Sequence, residues 1–303
     1  MTETGRQFRR RRHAFFAFIA LLLGLFAVPL FWLVSHALGS NLHSHVVLIP
    51  FISLYLLYTE RRRLPCSYVA APGVSVLFGL VGVASLAVAW VTRLRAYPIS
   101  HSDNLSLFAF AFVCLVIAGA FFFLGGAWMR AAAFPMAFLI FMVPMPDGLA
   151  DALEEASKLA SADVAHVLFM LTGTAVLRDG TIFQLPGISL EVAKECSGIR
   201  SSYVLFITSL LASYLFLRTP WRRLVLVAAI IPLGLIRNGV RILTIALLCV
   251  HIGPHMIHSV IHRRGGPMFF VASLVPLFAL LWWLRRGEEK VTPDPGRELV
   301  TSR

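Results

Sequence analysis

Long apolar runs separated by clusters of arginine are the feature that most constrains this chain. A helix needs about 20 mainly apolar residues to cross a bilayer. Only 14% of the 303 residues are charged, against about 25% in a typical soluble protein. The sequence therefore predicts an all-α polytopic membrane protein with about eight transmembrane helices. These are expected at Ala14–Val34, Val46–Tyr58, Tyr68–Val91, Leu105–Gly125, Ala132–Pro144, Ile199–Leu217, Leu224–Val250 and Pro267–Leu284.

The second run is short, so its helix is expected to start nearer Leu42.

The basic residues predict the orientation of the helices. The net charge is +12, and more than half of the 27 lysines and arginines fall at the two termini or in alternate loops. Such clusters mark the cytoplasmic side of a membrane protein. We expect a multi-pass protein of the cytoplasmic (inner) membrane with both termini in the cytoplasm. Because the arginines lie at helix ends and form no single solvated face, the bilayer is the expected partner and nucleic acid is not.

Residues 147–196 differ from the runs around them. Asp147 can cap a helix whose apolar residues step by three or four, while the other face is charged. Its predicted apolar stripe is Leu149, Leu153, Ala156, Ala160, Val164, Val167 and Leu171. Two short strands around the turn pair Asp179-Gly180, at 175–178 and 181–185, then predict a β-hairpin, and a third strand is expected at 188–193. A hairpin cannot face lipid because its edge groups would lack partners, so we expect a small extracytoplasmic helix-plus-hairpin cap.

These features predict one membrane domain with short ends. Residues 1–13 form a basic cytoplasmic N-terminus, residues 14–286 the eight-helix domain that includes the cap at 147–196, and residues 287–303 a cytoplasmic tail. The tail is polar and contains two prolines, which predicts disorder.

The four cysteines occupy different surroundings. Cys114 and Cys249 lie inside apolar runs, where a free cysteine behaves as a small buried hydrophobe. Cys66 follows a run of three arginines, where it is a spectator or a lipidation site. Cys196 lies in a Ser-Gly turn before an apolar run, and nearby cations such as Arg200 favour its thiolate. The scattered spacing fits neither a disulfide framework nor a metal site, and no cofactor is predicted.

Polar residues of the last two helices are expected on the same outer side as Cys196. Arg241 lies in the outward half of its helix, and an arginine at membrane depth normally faces the bundle interior. Asn238 is three residues earlier, hence on the same helix face. A thiol, a histidine that moves its proton and an arginine that stabilises an oxyanion suffice for acyl transfer. The residue pattern does not choose among His251, His255, His258 and His262, and Arg237, one turn earlier than Arg241, is expected to form a structural ion pair.

The chain resembles the exosortase/archaeosortase family of polytopic, transpeptidase-like cysteine proteases. The segment HSHVVLIPFISLYLLYTERRR, from His43, is similar to a histidine-containing second helix of that family. The segment LRDGTIFQLPGISLEVAKECSGIRSS, from Leu177, resembles its strand-turn region and A-C-S-G-x-R box. RNGVRI fits its N-x-x-R box, and IHRRGGPMFF fits its H-x-x-x-G-x-x-x-F pattern.

The resemblance implies roles for individual residues. Cys196 would be the nucleophile, with Arg241 and His262 completing the catalytic set. Supporting or substrate-binding residues would be Asn238, Arg200, Ser197, Gly198 and Gly266. Glu195 stands where the family usually has alanine, and a carboxylate there would raise the pKa of the thiol unless Arg200 or Lys194 offset it.

The resemblance also implies a substrate class. Such enzymes act on secreted proteins whose C-terminal sorting tail contains a Pro-containing motif, a transmembrane helix and a basic cluster. They cut outside the membrane and are thought to transfer the new carboxyl end to an acceptor, a lipid or a polysaccharide. One alternative is a transporter or scaffold, which would also bury arginine and asparagine between helices. A serine protease of the rhomboid kind is disfavoured because no G-x-S-x box surrounds Ser197.

Overall fold

In the computed structural model, α-helices account for most of the chain. It describes residues 3–40, 42–94, 99–186, 188–192, 198–258 and 266–289. Five of the described helices are long and apolar enough to cross a membrane, or up to seven spans exist if each of two bent helix pairs counts as one. The chain is thus an all-α polytopic membrane protein, with five to seven candidate spans against the eight expected. The apolar helical segment Ser44–Glu60 is shorter than a span.

Two compact units make up the chain, residues 1–150 and residues 151–303. The helices of the first unit are α1 (Glu3–Leu25), α2 (Ala27–Gly39), α3 (Ile49–Glu60), α4 (Pro72–Leu94), α5 (His101–Phe123), α6 (Gly126–Ala131) and α7 (Ala133–Phe138), with 3₁₀ turns at Ser44–Val47 and Leu139–Met142. Its core is formed by α1 to α7, around buried residues that include Phe108 and Met136. Helix α8 (Asp147–Leu171) begins at the end of this unit.

The second unit contains the remaining elements. They are β1 (Leu177–Asp179), β2 (Ile182–Leu185), β3 (Ile188–Glu191), α9 (Ile199–Phe216), α10 (Pro220–Ala228), α11 (Ile230–His251), a 3₁₀ turn at Pro254–His258, and α12 (Gly266–Glu289). One core cluster joins α9, α10, α12 and the start of α11, around Leu205, Leu226 and Leu277. The disordered tail was expected at residues 287–303, but residues 287–289 continue α12, and the rest of it lies outside the described residues.

Three prolines explain where predicted single spans are interrupted. A proline inside a helix lacks the N–H that would bond to the carbonyl four residues earlier, and its ring clashes with that carbonyl. Pro29, Pro135 and Pro232 each follow by four residues the last residue of a helix: Leu25 of α1, Ala131 of α6 and Ala228 of α10. The first expected helix, Ala14–Val34, is therefore two helices bent by 69°. The run of the seventh expected helix is divided into α10 and α11, but Pro220–His251 still counts as one candidate span. The fifth expected helix begins at Ala132, after the break that Pro135 explains, and consists of α7 and the 3₁₀ turn Leu139–Met142.

The predicted cap segment folds as a helix followed by an antiparallel sheet of order β1-β2-β3. The turn is displaced by one residue from the expected pair: Asp179 pairs with Ile182, so Gly180 and Thr181 make the turn, and Gly180 adopts φ +59° as such a turn requires. One face of the sheet is buried through Phe183 and Leu190 against α8 and α11. The apolar face of the sheet therefore has the protein cover that it needs.

The face of α8 that packs on the protein matches only part of the predicted stripe. Its buried residues are Ser161, Ala162, Ala165 and Phe169, whereas Leu149, Leu153, Val167 and Leu171 are exposed. Val164 of the predicted stripe does lie against α11, where a Cβ on Gly239 would be 2.7 Å from it. The glycine at position 239 allows this close approach. With the preceding α7 and its 3₁₀ turn, α8 also forms the second bent pair, at 90°.

Candidate active site

The turn that follows Cys196 is held by an unusual glycine. Gly198 caps the start of α9 with φ +71°, a left-handed conformation that costs a residue with a Cβ about 1–2 kcal/mol. A Cβ at this position would also lie 3.1 Å from Nη2 of Arg237 and 3.1 Å from Oδ1 of Asn238. Glycine is therefore required here both for its backbone conformation and for the close approach of α11.

The main-chain carbonyl of Gly198 accepts three hydrogen bonds from described residues, two from the first turn of α9 and one from α11. It accepts hydrogen bonds from the main-chain N–H of Ser202 at 3.0 Å, from Oγ of Ser201 at 3.0 Å and from Nη2 of Arg237 at 3.0 Å. The same Nη2 donates to Oγ of Ser202 at 3.0 Å. The two hydrogen bonds from Arg237 therefore connect the first turn of α9 to the middle of α11.

Arg237 and Asn238 are buried on α11, at 8% and 2% exposure. The ion pair expected for Arg237 is absent among the described residues, where its partners are the neutral oxygens of Gly198 and Ser202. Arg241 is one helical turn further along and half-buried. The structure thus places two arginines and an asparagine on one stretch of α11, and two of the three contact Gly198, which is two residues after the predicted nucleophile in the sequence.

Other predicted site residues are placed elsewhere or not described. Cys196, Ser197 and His262 lie outside the described residues. Arg200 is exposed on α9, and Gly266 starts α12 with no neighbouring atom within 4 Å of a Cβ built on it. His251 and His255 are exposed, as expected of loop histidines. Cys114 and Cys249 are buried, as predicted, while Cys66 is exposed.

The sequence analysis missed a group of histidines in the first unit. The rings of His36 and His43 are 5.3 Å apart, and those of His36 and His101 are 6.1 Å apart. Nδ1 of His43 lies 3.2 Å from Oγ of Ser40. Nearby, Oδ1 of Asp103 accepts the N–H of Asp147 at 2.8 Å. No sequence spacing signals this group, because its members come from α2, the following loop and α5.

This histidine group does not make a metal centre. Among the residues that the structure describes, no three histidine, cysteine, aspartate or glutamate side chains are placed to hold one ion. The chemistry available at the Gly198 turn is instead that of hydrogen-bond donors and fixed positive charge on α11.

Comparison with known families decides the relationship. The family described as transmembrane exosortase matches residues 35–279, which include α9, α11 and the whole of the predicted histidine box. The chain belongs to the transmembrane exosortase family. No curated protein and no solved structure matches it. Family membership supports a membrane protein involved in processing sorting signals.

The matched residues include every position that the resemblance assigned a role. Gly198 and Asn238 are joined in space as well as matched in sequence, since the close approach of α9 to α11 brings them into contact. Arg237 contacts the same turn, although the sequence analysis gave it only a structural role. The signal that would have found it is its position immediately before Asn238, on a helix surrounded by apolar residues.

Proposed function

We propose that this chain is a membrane-embedded cysteine peptidase and transpeptidase. It cleaves C-terminal sorting tails of secreted proteins through a thioester on Cys196 and transfers the new carboxyl end to an acceptor. The observation that carries the proposal is the tight contact of the Gly198 turn with Arg237 and Asn238. It supports a rigid thiol-bearing turn beside fixed hydrogen-bond donors, in a chain that belongs to the exosortase family.

The proposed reaction is acyl transfer in two halves. The Cys196 thiolate attacks the scissile carbonyl, and Arg241 stabilises the negative charge that forms on its oxygen. The C–N bond then breaks, and His262 returns the thiol proton to the departing amine. An acceptor hydroxyl or amine, on a lipid or a polysaccharide, or else water, attacks the thioester and releases the thiol. No metal or cofactor is needed for these steps.

The proposed site faces the extracytoplasmic side of the inner membrane. The support is the distribution of positive charge, since the arginine clusters at 9–12, 61–63 and 222–223 are expected in the cytoplasm. Secreted proteins with a Pro-containing motif, an apolar helix and a basic cluster at the C-terminus are the proposed substrates. Their helix would lie in the bilayer next to the bundle.

The test is the processing of a tailed reporter in membranes. A secreted protein with such a tail, encoded near this gene, is co-expressed with the wild-type chain or with Cys196→Ala, and the shortened product is measured on gels. Cys196→Ala is expected to stop processing at normal protein level, whereas Cys66→Ala, Cys114→Ala and Cys249→Ala retain it. Normal processing by Cys196→Ala would end the cysteine mechanism.

A transporter or scaffold is the second candidate, favoured by the buried Arg237 and Asn238 within a candidate span. Buried polar groups between membrane helices also occur in substrate pathways. The two candidates differ in what the thiol does. If Cys196→Ala left the cellular role intact while Arg241→Ala destroyed it, the second candidate would replace the first.

A further inference from the structure

Arg237 is a buried cation whose described partners carry no charge. Its side chain is 8% exposed. Nη2 donates to the carbonyl of Gly198 and to Oγ of Ser202, each at 3.0 Å, while Nη1 is buried and bonds to no described residue. The two ion pairs among the described residues, Lys158–Glu155 and Arg178–Asp163, do not involve it. Burying a charge without a counter-charge costs several kcal/mol.

The oxygens that Arg237 binds do not depend on it. The Gly198 carbonyl keeps the N–H of Ser202 and the hydroxyl of Ser201 as donors. The Ser202 hydroxyl can turn to a carbonyl of its own helix, as the hydroxyls of Thr208 and Ser209 already do. Removing the Arg237 side chain therefore leaves neither the Gly198 carbonyl nor the Ser202 hydroxyl without a hydrogen-bond partner. Its contribution to the stability of the fold is accordingly small or negative.

The position of the contact points to a different role. Gly198 is two residues after Cys196 and begins α9. The guanidinium of Arg237, which donates to the Gly198 carbonyl, fixes the orientation of the peptide plane between Gly198 and Ile199. Because α11 is packed against α8, the sheet and α9, the guanidinium is a rigid anchor for that plane.

We propose that Arg237 is a positioning residue for the cysteine nucleophile. It holds Gly198, two residues after Cys196 in the sequence, against α11 through the Gly198 carbonyl, and it leaves the oxyanion to Arg241. This inference rests on the proposed function, because it gives Arg237 a role only if Cys196 attacks the substrate.

The decisive variant is Arg237→Met, which removes the charge and both hydrogen bonds but keeps a side chain of similar length. We expect kcat for the tailed substrate to fall roughly a hundredfold, since a displacement near 1 Å at a reacting group has that order of effect. KM should stay within about twofold, because the hydrogen bonds of Arg237 go to Gly198 and Ser202 of the enzyme and not to the substrate. The thermal unfolding temperature in detergent should be unchanged or higher, since an unpaired buried charge is replaced by an apolar group.

A conservative variant and a matched control accompany it. Arg237→Lys retains a charged donor that reaches one acceptor, so it should recover part of the lost kcat. Arg223→Met is the control: Arg223 also donates to a main-chain carbonyl, that of Leu217 at 2.8 Å, in the same span. It should leave kcat at the wild-type value. A purely structural Arg237 would instead give loss of activity together with a lower unfolding temperature, and no recovery in Arg237→Lys beyond its recovery of stability.

A second measurement needs no turnover. In a Cys66→Ala background the remaining thiols besides Cys196 are Cys114 and Cys249, both buried. The rate of Cys196 alkylation by iodoacetamide at fixed pH then reports the state of the turn. Arg237→Met should lower this rate about tenfold, because a nearby fixed cation favours the reactive thiolate and the variant removes it. Ser209→Ala, whose hydroxyl bonds within α9, should leave it unchanged.

The outcomes separate this inference from the function on which it rests. Normal processing by Cys196→Ala would overturn the proposed function. If Cys196→Ala is inactive but Arg237→Met keeps wild-type kcat and alkylation rate, the positioning role alone is overturned. A fall in kcat with an unchanged alkylation rate and a lower unfolding temperature would also overturn it.

Discussion

Replacing Gly198 by alanine tests the geometry of the candidate site directly. The added Cβ would meet Nη2 of Arg237 and Oδ1 of Asn238, each at 3.1 Å, closer than ordinary van der Waals contact. The backbone at φ +71° adds a penalty of about 1–2 kcal/mol. If Arg237 is pushed off the Gly198 carbonyl, the loss of a charged hydrogen bond adds about 1.5–3 kcal/mol. The expected destabilisation is therefore roughly 2.5–5 kcal/mol.

Gly173 offers a matched control in the same unit. Its φ is +67°, and a Cβ built on it has no atom within 4 Å. Gly173→Ala is therefore destabilised by the left-handed backbone conformation alone, with no steric contact with α11. The difference between the two variants, about 1.5–3 kcal/mol, isolates the contact of the turn with Arg237 and Asn238. The destabilisation expected for Gly198→Ala is compatible with a stable Arg237→Met variant. In Gly198→Ala the Arg237 charge stays buried and loses a hydrogen-bond partner, whereas in Arg237→Met the charge is removed.

The assay combines thermal unfolding in detergent with processing of a tailed reporter. Gly198→Ala should unfold at a lower temperature than Gly173→Ala and should process the reporter about tenfold to a hundredfold more slowly. Gly173→Ala should process it at the wild-type rate. Equal unfolding temperatures for the two variants, together with normal processing by Gly198→Ala, would refute the claim that α11 fixes this turn.

Three further predictions concern the catalytic set and the topology. Arg241→Ala should lower processing about a hundredfold to a thousandfold, the usual cost of losing an oxyanion donor, and Arg241→Lys should remain poor because an ammonium lacks the planar fork of a guanidinium; wild-type kinetics in either would exclude that role. His262→Ala should nearly abolish processing while His251→Ala and His255→Ala retain it, and an inactive His258→Ala beside an active His262→Ala would move the base to His258. A reporter enzyme fused after Leu177 should be extracytoplasmic and one fused after Arg222 cytoplasmic, and the reverse result would remove secreted proteins as substrates.

The class of fold could be predicted from the sequence because it depends on composition and run length. Apolar runs and arginine clusters are properties of whole segments, so they survive errors of several residues at each end. The strands of the cap were also predictable, since Gly180 and the alternation in Ile182–Leu185 are local signals. The break between α1 and α2 was readable in principle, because Pro29 stands inside an apolar run. The run is nevertheless long enough to span a bilayer, which favours a single helix.

The buried face of α8 and the partner of Arg237 were harder to predict. Both depend on how closely two helices approach, which sequence periodicity does not report. A stripe of large apolar residues predicts the core of a soluble helix, but in lipid such residues also suit the outer surface. The buried face of α8 includes Ala162 and Ala165, and of the predicted stripe Val164 lies against Gly239 of α11. The role of Arg237 likewise follows from a distance to Gly198 that no spacing along the chain encodes.

The stretch Gly234–Gly239 of α11 shows how the contacts of the site depend on one another. Its two end glycines mark close approaches: a Cβ on Gly234 would lie 2.8 Å from Oγ of Ser202 on α9, and one on Gly239 would lie 2.7 Å from Val164 on α8. Small residues allow such approaches between membrane helices. Arg237 and Asn238 lie between these glycines, and a polar side chain at that depth needs a partner inside the bundle. The close approach of α9 supplies that partner as the Gly198 turn, so the packing that satisfies the polar residues of α11 also sets the position of Gly198, two residues after Cys196 in the sequence.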